Sequence, residues 1–70
     1  MTNKEKVLKM YPNAVIYIMN EKTPYPMFYV QYWSRKFKWE YLACRKKSEE
    51  MGWDAAWDFI RVDMLKKLEE

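Results

Sequence analysis

The stretch "SEEMGWDAAWDFIRVDMLKKL", residues 48–68, decides the fold, because it reads as one long amphipathic helix that a sheet needs as a cover. Ser48 can cap a free backbone N–H, and Glu49 and Glu50 suit the positive end of the helix dipole. At about 100° per residue, Gly52, Trp53, Ala56, Ile60 and Met64 share one broad face, flanked by Trp57 and Phe59. Gly52 costs about 1 kcal/mol of helix propensity against Ala, so its place beside Ala56 suggests close approach to a backbone. The other side is not cleanly polar. Met51, Ala55, Val62 and Leu65 form a second apolar strip, a candidate surface for self-association into a homodimer.

Upstream, the polar and apolar periods change. "TNKEKVLKMY", residues 2–11, reads as a short helix with Thr2 and Glu5 at capping-box spacing, Pro12 as its stop and Val7, Leu8 and Tyr11 on one face. "AVIYIM" at 14–19, "MFYVQYW" at 27–33 and "FKWEYLAC" at 37–44 read as strands. "NEKTPYP" and the tight polar turn "SRK" join them. The expected fold is therefore one α+β domain over residues 1–70. Its order is α-β-β-β-α, a three-stranded antiparallel sheet with the long C-terminal helix on one face and the short N-terminal helix beside it.

Strand alternation then assigns faces. In the third strand Phe37, Trp39, Tyr41 and Ala43 point one way and Lys38, Glu40, Leu42 and Cys44 the other. The charged side is expected to be open, which sends Trp39 and Tyr41 under the helix. The first two strands are apolar on both sides. Burying Ile16, Ile18, Phe28, Val30 and Tyr32 leaves Tyr17, Met19, Tyr29 and Trp33 on the open face, beside Lys38 and Glu40.

Composition narrows the function. Seventy residues with 19% aromatics, four Trp and six Tyr build a core from large rings and leave some for the surface. No His and one Cys exclude the usual metal clusters and His-dependent nucleophiles, and one Gly excludes a glycine-rich phosphate loop. No cofactor and no enzymatic activity are expected. The carboxylates of Asp54 and Asp58, at i and i+4, read as a solvated helix face. A single Cys excludes an intramolecular disulfide framework and favours the cytoplasm; no apolar run is long enough for a membrane span. Cys44 is expected to be buried or half-buried, and the Arg45–Lys47 run to be a solvated strand end. A net charge of +3 permits a nucleic-acid or acidic partner without requiring one. Aromatics on an open sheet near cations make Tyr17, Tyr29, Trp33, Arg35, Lys36 and Lys38 the candidate partner-binding residues, for a protein or for the bases of a single strand.

The helix–three strands–helix layout is similar to that of double-stranded-RNA-binding domains. That family opens its second helix with phosphate-binding lysines, whereas here Lys46 and Lys47 precede the helix and Glu49 and Glu50 occupy its first turn, where they repel phosphate. "MYPNAV" at 10–15 and "SEEMGWDAA" at 48–56 resemble small bacteriophage and prophage accessory proteins. Many of these carry a short helix ending in "YPNA" and a last helix opening Ser/Thr-Glu-Glu-x-Ala-Trp-x-x-Ala; Gly52 stands where Ala is usual. The resemblance implies a viral protein working in the cytoplasm of a bacterial host. Phage proteins of this size are often accessory factors, anti-CRISPR proteins among them, so the chain is expected to bind a host protein or ribonucleoprotein complex and to inhibit a defence nuclease. The alternative is a single-stranded nucleic-acid-binding module.

Overall fold

The computed structural model describes residues 1–36 and 38–69, with the backbone alone described at Glu69. The chain runs α1 (Asn3–Met10), β1 (Val15–Met19), β2 (Met27–Ser34), β3 (Lys38–Lys46) and α2 (Glu49–Glu69). The strands form one antiparallel sheet in the order β1-β2-β3. This is the α-β-β-β-α arrangement the sequence predicts. Phe37, expected to open the third strand, lies outside the described residues.

Both helices start on the caps their sequences offer. Thr2 Oγ1 accepts from the N–H of Glu5 at 3.2 Å, and Ser48 Oγ accepts from that of Met51 at 3.2 Å. α1 ends where the N–H of Tyr11 donates to the Val7 carbonyl at 2.8 Å, one residue before Pro12. A chain turn follows, and Asn13 Nδ2 ties it to the Trp33 carbonyl at 3.1 Å. The β1–β2 connection is pinned by Thr23, whose N–H and hydroxyl both donate to the Asn20 carbonyl, at 3.0 and 2.8 Å.

The core lies between the sheet and the two helices. Val30, Leu42 and Ala43 of the sheet meet Trp53, Ala56 and Ile60 of α2, with Val7 of α1 closing one side. Leu8 and Tyr11 pack on the same cluster, and the Tyr11 ring sits 4.5 Å from that of Tyr32. Gly52 does not lie against a backbone; its neighbours are side chains at ordinary contact distance. A Cβ there would meet Val30 Cγ2 at 3.4 Å and Ile16 Cδ1 at 3.7 Å. Cations of α1 reach the aromatic edge of α2: Lys4 Nζ stands 5.7 Å from the Trp53 ring and Lys6 Nζ 5.5 Å from that of Trp57.

The third strand corrects the expected faces. Glu40 and Leu42 turn toward the helices, and Trp39 and Tyr41 lie on the open face. Two effects decide this. The Tyr32 hydroxyl donates to Glu40 Oε2, giving the half-buried carboxylate a partner on the helix side. Trp39 instead packs edge-on against Trp33, its partner across the strands, at 5.3 Å and 81°. Alternation also fails beyond Tyr41. Gln31 pairs with Tyr41 but Val30 with Ala43, so Leu42 is an extra residue in a bulge, and Leu42 and Ala43 are both buried. A second irregularity between Phe28 and Val30 carries Arg45 at φ 53°.

α2 is buried as far as Ile60 and no further. Met64 and Phe59, expected on the core face or its flank, are 42% and 53% exposed. From Arg61 to Leu68 no described side chain is fully buried, and Asp63 alone is half-buried.

Candidate functional site

The uncovered face of the sheet is the most distinctive surface of the molecule. β1 contributes Val15, Tyr17 and Met19, β2 contributes Tyr29, Gln31 and Trp33, and β3 contributes Trp39 and Tyr41. None of these eight is charged. Their rings touch in two groups across the strands. Tyr17, Tyr29 and Tyr41 form a row with centroid separations of 6.1 and 5.5 Å, and Trp33 and Trp39 form an edge-to-face pair. Tyr17, Trp33, Trp39 and Tyr41 are each 44–49% exposed.

The residues expected to bind a partner divide accordingly. Tyr17 and Trp33 are exposed on this face. Tyr29 is on it but 8% exposed, enclosed by the rings on either side and by Met19, whose sulfur lies 3.8 Å from its hydroxyl. It therefore holds the row together and offers a partner little surface. Arg35, Lys36 and Lys38 stand exposed at the β2–β3 end, where Ser34 pairs with Lys38 and Lys38 takes φ 63°. Trp39 and Tyr41 were the residues the sequence reading put elsewhere. The signal that finds them is the cross-strand match of Trp39 with Trp33, which outweighs the rule that the charged side faces water.

The other candidates are placed as follows. Met51, Val62 and Leu65 of the second helix strip are exposed, whereas Ala55 is half-buried and packs on the core. Cys44, expected to be covered, is exposed. Asp54 and Asp58 are exposed, as a solvated face requires. Asp54 accepts from Asn3 Nδ2 at 2.6 Å and Asp58 pairs with Arg61 at 2.9 Å.

Clefts indent the surface among the described residues. One, about 830 Å³, lies where the two helices begin, and two hydrogen bonds cross its lining: Asn3 Nδ2 donates to Asp54, and Trp53 Nε1 donates to Glu49 at 3.3 Å. A second, about 540 Å³, is lined by Tyr11, Tyr32, Glu40, Tyr41, Phe59, Asp63 and Lys67. Its carboxylates are both engaged, Glu40 by the Tyr32 hydroxyl and Asp63 by Lys67 at 3.3 Å. The hydrogen bond to Glu40, with burial and the same negative charge behind it, pushes the Tyr32 phenol up to about 12. The third, about 560 Å³, lies between the β1–β2 connection and the end of β3. Among the described residues no group of His, Cys, Asp and Glu could hold a metal ion, and no helix is long and apolar enough to cross a membrane.

Compared with family models, curated proteins and solved structures, the chain matches none.

Proposed function

We infer that this protein is a non-enzymatic accessory protein of bacteriophage type. It acts in the host cytoplasm by docking its open aromatic face on a host protein or ribonucleoprotein, inhibiting a defence nuclease complex in the manner of anti-CRISPR proteins. The observation that carries this is the uncharged face itself, with four half-exposed rings, Val15 and Met19. Tyr, Trp and Met at the centre and cations at the margin is the composition of a protein–protein interface core with its polar rim. An exposed face of this kind marks an interaction site. The "YPNA" and "SEE" motifs support the viral context.

A second reading rests on the positions of the cations. Arg35, Lys36 and Lys38 stand at one end of the ring rows and Arg45–Lys47 at the other, an arrangement in which bases could stack while phosphates meet charge at both ends. The two readings part on a direct titration. With protein as the partner, the isolated chain shows little or no binding to a mixed-sequence single strand with 5′-hydroxyl ends at physiological salt. Micromolar binding that falls with salt and is lost in Trp33→Ala makes the single-strand reading the function.

A further inference from the structure

We propose that the cleft between the β1–β2 connection and the end of β3 is a binding site for a phosphate attached to a stackable ring, that is, a nucleotide. Its two walls differ in kind. Pro24, Tyr25 and Pro26 form an apolar wall, and Arg45, Lys46 and Lys47 form a cationic one. The site is separate from the ring rows of the open face and does not rest on their docking a protein.

Three features point to a ligand here. No carboxylate lines the cleft, and among the described residues none of its three cations lies in an ion pair. Adjacent like charges without counter-charge repel one another, and a phosphate relieves that repulsion. The positive wall is also built into the strand. Between the Phe28–Lys46 and Val30–Ala43 pairs, β3 carries one residue more than β2, and Arg45 takes φ 53° within that bulge. A non-glycine residue in the left-handed region costs about 1 kcal/mol, and bulges of this kind re-aim side chains beside sites.

The third feature is Tyr25. It is 78% exposed, the most exposed aromatic side chain among the described residues, yet its backbone is fixed by an N–H donated to Thr23 Oγ1 at 3.2 Å. A ring displayed on a pinned loop, opposite cations, can stack on a base while the cations take its phosphates. A volume of about 560 Å³ is ample for one nucleotide. A free nucleotide and the phosphorylated end of a strand present the same chemistry.

The test is a titration of the whole chain followed by backbone amide NMR shifts, using ATP, inorganic phosphate, a 5′-phosphorylated and a 5′-hydroxyl oligothymidine, and a glutamate-rich peptide. The expected result is that ATP moves the amides of residues 25, 27 and 45–47, more tightly than inorganic phosphate does. Tyr25→Ala should weaken ATP about fivefold or more, the lower end of what one stacked base contributes, and Tyr25→Phe should restore it. Being so exposed, Tyr25 can be replaced without loss of the fold. Preference for the 5′-phosphorylated strand over ATP would identify a strand end as the natural source; the reverse would identify the free nucleotide. The proposal is overturned if ATP moves no amides there or moves those of the open face instead. It is equally overturned if inorganic phosphate or the acidic peptide binds as tightly, or if Tyr25→Ala leaves ATP binding unchanged.

Discussion

Gly52 shows how a single residue is set by two competing terms. A glycine inside a helix costs about 0.5–1 kcal/mol against alanine, which only a crowded neighbourhood justifies. Here the added methyl would stand 3.4 Å from Val30 Cγ2, an ordinary contact with a side chain. Gly52→Ala should therefore stabilise the fold by about 0.5–1 kcal/mol in denaturant unfolding, and a destabilisation would mean that the helix sits tighter than this. Tyr32 is the other residue whose role is specific. Its phenol is pushed up to about 12, first by the hydrogen bond to Glu40 and then by burial. Because the folded value lies above the free one of 10.0, the contribution to stability is complete below pH 10 and is lost as pH rises toward 12. In an ultraviolet phenolate titration a step near pH 12 should appear, and Tyr32→Phe should remove it. A titration that Tyr32→Phe leaves unchanged there would show that the bond to Glu40 does not hold in solution.

At the scale of elements, α2 divides at Ile60. Ile60 is 3% exposed, so Ile60→Ala should destabilise by about 2–5 kcal/mol, whereas Phe59→Ala, at a 53% exposed position, should cost well under 1 kcal/mol. Equal losses at the two positions would place the helix in a different rotation. Much of this was legible in the chain. The Thr2 and Ser48 caps, Pro12 and the helical spacing of Trp53, Ala56 and Ile60 are local signals, and local signals survive folding. The face of β1 and β2 was also legible, since Ile16 and Val30 do meet α2. The faces of β3 were not. Its charged side chains argued for water, but Glu40 found a hydroxyl across the strand and Trp39 found Trp33, and neither match is visible within one strand. The bulge at Leu42 then put two consecutive residues in the core, which no strict period of two can predict. Met64 differs for another reason: helical spacing continues along α2 beyond Ile60, its last buried side chain, and leaves Met64 42% exposed.

For the whole molecule, the consequence of turning β3 over is larger than the error in two residues. With Glu40 beneath the sheet and Trp39 and Tyr41 above it, the open face loses its expected charges and gains two rings. The small size of the domain explains why such a face can persist. Two helices cover one side of three strands, and among the described residues no element lies on the other. Tyr29 sits at the centre of that face, buried by its neighbours, so the exposed rings around it are held in place before any partner arrives. Preorganised rings lose little freedom on binding, which favours affinity. The most direct measurement is capture of a partner from nuclease-treated bacterial host lysate by three forms of the protein: the unaltered chain, Trp33→Ser with Tyr41→Ser, and Phe59→Ser on the helix side. All three should remain folded with one cooperative unfolding transition, the doubly substituted form losing about 0.5–1.5 kcal/mol for each of the Trp33–Trp39 and Tyr29–Tyr41 contacts. The account predicts that the unaltered chain and Phe59→Ser capture the same protein, and that the doubly substituted face captures none. Capture that survives the loss of Trp33 and Tyr41 would contradict it.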